Sequence, residues 1–201
     1  MKRKHVLAGV IILFCLFFAR EFWIGSSSDF QIFGEESFAV VQVESGETIF
    51  FGDRETARKD VLLRAIQPYF SQKDPVIIAD LEIGTSIEGS DFSLQKISDN
   101  IARGAFSDSI IWFYGSPSED ELTQLKQTPV SLDSDFWILE TNNYPDFLPL
   151  PTQSIFHINE RKPSKKLENF AREKNIPLVS VQETGGFTLG IQDQAWDLKI
   201  R

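Results

Sequence analysis

The 201-residue sequence predicts one layered α/β domain behind a single N-terminal membrane helix. Three observations lead there. A wholly apolar run, Val6 to Ala19, follows the basic cap MKRKH. Short apolar and β-branched runs such as FAVVQV, PVIIA, SIIWFY and DFWILE recur along the rest of the chain, and between them lie stretches with apolar residues at helical spacing. About 200 residues suffice for one domain with a substantial core. We therefore divide the chain into residues 1–28, an anchor and linker, and residues 29–201, an extracytoplasmic α/β domain.

The N-terminal run admits two readings. A transmembrane helix needs about 17–25 apolar residues and a signal-peptide core about 7–15. Val6 to Ala19 alone suits a signal peptide, with secretion after cleavage as its outcome. If Arg20 snorkels, the span extends to Ile24, Trp23 suits the membrane interface, and no Ala-x-Ala cleavage site follows. We read residues 6–24 as an uncleaved single-pass anchor. Lys2, Arg3 and Lys4 then hold the N-terminus in the cytoplasm and place the domain outside it. Cys15 is not a lipidation site, because the bulky Phe14 precedes it.

Cys15 is the only cysteine, so the exported part holds no disulfide and depends on packing. Residues 1–28 contain four basic residues and one acidic residue, which leaves 16 basic and 28 acidic residues beyond them, a net −12. Nucleic-acid binding relies on basic stripes that displace counterions, so this balance argues against DNA or RNA as ligand. A protein partner is the better expectation.

Gly25 to Asp29 (GSSSD) reads as a polar linker. Ser37 to Phe51 reads as two strands around a turn at Gly46. Asp53 to Tyr69 has Val61, Leu62, Ala65 and Ile66 at helical spacing. Val76 to Ala79 reads as a strand buried on both faces, and Gly84 to Gly89 as a loop entering a helix. Leu94, Ile97 and Ile101 predict that helix over Phe92 to Ala105. Ser109 to Tyr114 is a buried strand, and the acids after Ser118 suit a helix N-terminus. Asp135 to Glu140 and Ser154 to Ile158 are strands, and Ser164 to Lys174 is a helix capped by Ser164. Leu178 to Val181 and Phe187 to Ile191 are the last strands, with Gly185-Gly186 as a hairpin turn between them.

Several segments match, in order, a known series of motifs. Gln42-Val43-Glu44-Ser45-Gly46-Glu47 before Thr48 to Phe51 is similar to an Asp-Val-Gly-Gln-Gly-Asp motif and its following strand. Asp80-Leu81-Glu82-Ile83-Gly84-Thr85-Ser86-Ile87-Glu88-Gly89 lies where a Thr-His-x-His-x-Asp-His motif would stand. Asn142-Asn143 takes the place of paired histidines, and Asn175 to Val179 with Thr184 and Gly186 resembles a closing strand pair. The series resembles the metallo-β-lactamase-like extracellular domain of competence DNA-uptake proteins, and it spans most of residues 38–191. The resemblance implies a shortened metallo-β-lactamase-like sandwich. It also implies that the metal ligands are lost, because Leu81, Ile83, Thr85 and Ser86 stand in the ligand places.

The family's chemistry uses metal-bound water and two metals that clamp the reacting oxygens. Only His5 and His157 are histidines here, and a lone His157 inside an apolar strand is more often structural. We therefore expect no cofactor, no catalytic residue and no metal. The remaining metal option is oxygen ligation of Mg²⁺ or Ca²⁺ by Asp80 and Glu82, which would share one face of a continuing strand, with Glu88 and Asp91 nearby and His157 as a remote possibility. Ser86 and Ser90 have no evident base to activate them. The function expected is a membrane-anchored, non-catalytic binding or assembly module; the alternative is a divalent-metal hydrolase built around Asp80. The loop Tyr144 to Leu150 (YPDFLPL), with Tyr144, Phe147 and Leu148, is the candidate contact surface.

Overall fold

The computed structural model describes residues 30–35, 37–52, 75–142, 150–192 and 195–200. The anchor and linker expected at residues 1–28, the helix expected at Asp53 to Tyr69, Asn143, and the candidate contact residues Tyr144, Phe147 and Leu148 lie outside them. Among the described residues, no helix is long and apolar enough to cross a membrane.

The chain is mixed α/β, with strands dominating. It forms β1 (Phe30–Glu35), β2 (Phe38–Val43), β3 (Thr48–Gly52), β4 (Val76–Ile77), β5 (Ser86–Glu88), β6 (Phe92–Ser98), β7 (Ile101–Phe106) and β8 (Ser109–Tyr114). Then come α1 (Glu119–Gln127), β9 (Phe136–Leu139), β10 (Ser154–His157), α2 (Lys165–Glu173), β11 (Leu178–Ser180), the single-turn α3 (Val181–Thr184), β12 (Phe187–Gln192) and β13 (Ala195–Ile200). Six strands form one sheet in the order β13-β12-β1-β2-β3-β4, and seven form another in the order β11-β10-β9-β8-β7-β6-β5.

Strand alternation divides the side chains of the seven-stranded sheet between two cores. Ile111, Phe113, Phe136, Ile138 and Phe156 point to the six-stranded sheet and meet Ile32, Val41, Ile49, Phe51 and Phe187. Rings join the two sheets directly, with Phe156 stacked on Phe187 at 4.4 Å and Phe51 tilted on Phe113 at 5.1 Å. Gly34 is required here, since a Cβ there would lie 1.9 Å from the Phe187 ring. The opposite face carries Trp112, Tyr114, Trp137, Leu139 and Ile155, which α1 and α2 cover with Leu125 and Leu167. Strands β8, β9, β10 and β11 run parallel. Such strands need crossovers, and α1 and α2 supply two of them.

Several expectations hold. The strands at 38–43, 48–52, 109–114, 136–139, 154–157 and 187–192 stand where the apolar runs placed them. Ser118 begins α1 in a full capping box with Glu121, and the Ser164 hydroxyl accepts from the Leu167 N–H at the start of α2.

Others are corrected. Phe92 to Ala105 is no helix but the hairpin β6–β7, in which Phe92, Leu94, Lys96 and Ser98 alternate inward. The period of two was disguised because two of its inward positions are polar. Gly84 to Gly89 is a turn leading into β5 rather than a loop into a helix. The strand expected at Val76 to Ala79 stops at Ile77 on a sheet edge, half-buried, and a 3-10 turn takes over at Ile78–Asp80. Gly185-Gly186 joins no hairpin, because β11 and β12 belong to different sheets. Val181 starts α3 instead of ending β11, and Gly185 terminates α3 at φ 78, a left-handed conformation that glycine adopts at little cost. Strands β1 and β13 had no counterpart in the sequence reading.

Candidate functional site

The segment from Asp80 to Gly89 crosses from one sheet to the other. After β4, the Leu81 N–H donates to the Ile78 carbonyl at 3.2 Å and closes the 3-10 turn. The Thr85 N–H donates to the Glu82 carbonyl at 3.0 Å, with Gly84 at φ 85, and the chain then joins β6 through Gly84 N–H to Lys96 O and Lys96 N–H to Thr85 O, both 2.9 Å. Local backbone bonds thus fix the whole segment. Asp80, Glu82, Ile83 and Ser86 are exposed, Leu81 and Thr85 half-buried, and Leu81 packs against the inter-sheet core. Because a 3-10 turn replaces the continuing strand, Asp80 and Glu82 do not form the same-face pair that their spacing suggested.

Lys96 lies beneath this segment, and the sequence reading missed it. It shares the inward parity of Phe92 and Leu94, so its side chain enters the space between the sheets, where the residue is 2% exposed. Its Nζ donates to the Ile78 carbonyl at 3.1 Å and to the Asp99 carbonyl at 2.9 Å. A buried ammonium is costly unless hydrogen bonds replace its water, and carbonyls from both ends of this region do so. The Lys96 side chain therefore ties the turn at Ile78–Asp80 to the end of β6.

The other candidates are dispersed or committed. Asn142 anchors the segment before α2: its Oδ1 accepts from the Ser164 N–H at 2.5 Å and its Nδ2 donates to the Lys162 carbonyl at 3.5 Å. Asp91 is bound to Ser45, whose hydroxyl and N–H donate at 2.6 and 2.9 Å; the same hydroxyl also contacts Glu47. Burial pushes the Asp91 carboxyl up, but the bonds from Ser45 and Ser90 outweigh it and hold the group below the usual value. Glu88 is exposed on β5.

His157 belongs to a different place. It occupies a row with Tyr114, Leu139 and Ser180 across the four parallel strands. Tyr114, Leu139 and Ile155 place this row on the helix-facing side, away from Lys96. Four strand steps separate β10 from β6, roughly 19 Å at about 4.8 Å per step. Among the described residues, both His157 nitrogens lack a hydrogen-bond partner, as do the Tyr114 hydroxyl and the Ser180 hydroxyl. Burial lowers the His157 pKa to about 4 and pushes the Tyr114 phenol well up. Neither His157 nor Asn142 has a geometry that brings it to Asp80 as a ligand.

A second polar centre closes the same end of the seven-stranded sheet. Glu121 of α1 accepts from the Ser98 hydroxyl at 2.7 Å, the Asn100 N–H at 3.2 Å and the Asn100 amide at 3.1 and 3.2 Å. It also accepts from the Ser118 N–H at 2.8 Å and the Ser118 hydroxyl at 3.1 Å. Burial would raise its pKa, but the bonds from Ser118, Ser98 and Asn100 outweigh that and hold it at about 2. Only the capping half of this role was legible in Ser-Glu-Asp-Glu.

No family model matches this chain, and no curated protein matches it. The residues themselves give the chemical answer about a metal. Among the described residues, no three His, Cys, Asp or Glu side chains gather closely enough to hold a metal ion. Leu81 and Ile83 are no ligands. Among the described residues, the donor set does not fit the metal pair that the family resemblance implies.

Proposed function

We propose that this chain is a membrane-anchored, non-catalytic binding or assembly module built on a degenerate metallo-β-lactamase-like sandwich, related to the extracellular domain of competence DNA-uptake proteins. The observation that carries this reading is the Lys96 ammonium held between the sheets by the Ile78 and Asp99 carbonyls. A fixed side-chain cation there takes up carbonyl oxygens that a hard metal would use, and the overlying segment offers apolar or solvated side chains. Two sheets packed face to face, with helices on the outer face of one, are consistent with that fold. In this reading residues 6–24 hold the acidic domain outside the cytoplasm, and a protein, not a nucleic acid or an anionic bilayer surface, is the partner.

Metal content of the purified full chain tests the reading against a hydrolase built on Asp80. The expected result is no stoichiometric divalent metal after exposure to Zn²⁺, Mn²⁺ or Mg²⁺, and a cooperative thermal transition unchanged by chelator. Stoichiometric metal that is lost in Asp80→Asn, together with phosphodiesterase turnover that disappears with it, would establish the hydrolase instead. Protease added to intact cells tests the orientation: digestion of the domain is expected, and protection with any outer barrier opened would reverse it.

A further inference from the structure

Strand β13 ends the six-stranded sheet and pairs only with β12 among the described strands. Its outer edge therefore presents backbone N–H and C=O groups without strand partners, a template for another strand. Its two faces differ. Trp196, Leu198 and Ile200 register with Ile191, Leu189 and Phe187, three residues of the inter-sheet core, so they continue the apolar inner face. The opposing sheet does not fully cover that continuation: Trp196 is 39% and Ile200 58% exposed, and the Trp196 indole N–H reaches only Gln153, at 3.1 Å. The other face carries Asp197 and Lys199, with side chains 75% and 60% exposed.

The sequence Trp196-Asp197-Leu198-Lys199-Ile200 is complementary to itself when run antiparallel. Antiparallel strands place residues at equal distances from the centre of pairing opposite one another and on the same face. Centred on Leu198, each Trp196 meets Ile200 of the other copy, and each Asp197 meets Lys199 of the other copy. Apolar side chains then cover apolar ones on one face, and two cross-strand ion pairs form on the other. Within one chain Asp197 and Lys199 already lie 3.7 Å apart, so the pairing links two such pairs into a four-charge network. Two copies of a chain of net charge −9 repel over most of their surface; this strand, with one charge of each sign, is locally neutral.

We propose that β13 is a self-pairing edge, to which a second copy of this chain adds antiparallel with Leu198 facing its counterpart, joining two six-stranded sheets into one. The pairing requires neither the membrane anchor nor the fold relationship proposed above. One strand per partner is a small interface, so the association is weak in solution and depends on concentration, such as that of chains confined to one membrane.

Charge exchange across the pair tests it, on the full chain in detergent at about 100 µM, where a weak interface of this size is populated. Sedimentation should show wild-type dimer. Asp197→Lys and Lys199→Asp each place like charges opposite one another and should weaken the dimer roughly tenfold. The double exchange should restore it. Mixing the two single variants should also restore it, because each Lys of one then faces an Asp of the other. Both positions are exposed, so each variant should keep the wild-type thermal transition. A monomeric wild type, single variants that dimerise like wild type, or a mixture that stays monomeric would each overturn the proposal, the second result assigning association to another part of the chain.

Discussion

Glu121 and His157 sit at the same end of the seven-stranded sheet, on residues adjacent to or within its helix-facing layer, and they solve the burial of a polar group in opposite ways. Glu121 gathers donors from three residues on three segments, the end of β6, the β6–β7 turn and the α1 cap, so its charge ties a helix to a hairpin. His157 is fully buried with neither nitrogen bonded, so it remains neutral and contributes shape without a bond. The difference is in the neighbours. Glu121 faces a turn and a helix N-terminus, both rich in unsatisfied N–H groups. His157 lies in mid-layer between strands whose backbone groups are already paired.

The comparison breaks most sharply at Glu121. Glu121→Ala should lower stability to denaturant by about 2–3 kcal/mol, because it leaves Ser98, Asn100 and Ser118 donors without their shared acceptor, while water reaches part of the site. A loss below about 0.5 kcal/mol would show that water replaces the carboxylate freely. With a folded pKa of about 2 against an ordinary 4.5, the Glu121 contribution is complete above pH 4.5 and is lost as pH falls toward 2. Glu121→Gln should remove that part of the acid dependence.

His157 acts in a higher window. Its folded pKa of about 4 lies below the ordinary 6.5, so the folded state disfavours the proton. Stability attributable to the neutral ring is complete above pH 6.5 and lost as pH falls toward 4. His157→Leu should be close to neutral at pH 7 and should gain about 2 kcal/mol over wild type on going to pH 5. Parallel pH profiles for the two proteins would refute the assignment.

Ser134 and Tyr114 sharpen the contrast on a smaller scale. The Trp137 indole N–H donates to the buried Ser134 hydroxyl at 2.9 Å. Ser134→Ala turns a satisfied group of this layer into an orphan and should cost about 1–2 kcal/mol in chemical denaturation. Tyr114→Phe removes a hydroxyl that has no partner, and should change stability by less than about 0.5 kcal/mol or raise it. If Tyr114→Phe costs more than Ser134→Ala, the Tyr114 hydroxyl has a partner after all.

Much of the fold was legible because its strongest signals are local. SIIWFY and DFWILE are unbroken apolar runs in strands buried on both faces, and Ser118 and Ser164 announce the two longer helices. The hairpin β6–β7 was misread because Lys96 and Ser98 occupy inward positions, which left Leu94, Ile97 and Ile101 to imitate a helix. Strand β13 alternates Trp196, Leu198 and Ile200 with Asp197 and Lys199, a period of two that was available in the sequence and passed over. The candidate site was only half legible. The motif comparison singles out residues 80–86, but the Lys96 contact joins residues 18 apart across two sheets, and no local pattern encodes it.

The six-stranded sheet draws its neighbouring strands from distant parts of the chain. Strand β1 pairs β2 on one side and β12 on the other, with Phe30 opposite both Val43 and Ile191. During synthesis, β1 to β3 emerge long before Phe187 to Gln192, and the inner face of β1 then has no completed core to enter. The meander β6–β7–β8 and the first parallel crossover can form in that interval from near neighbours, while closure of the sandwich waits for the last strands. A nascent chain halted before residue 187 would therefore carry an open β1 edge beside an exposed apolar sheet. That is the stage at which the chain is most open to edge-to-edge association.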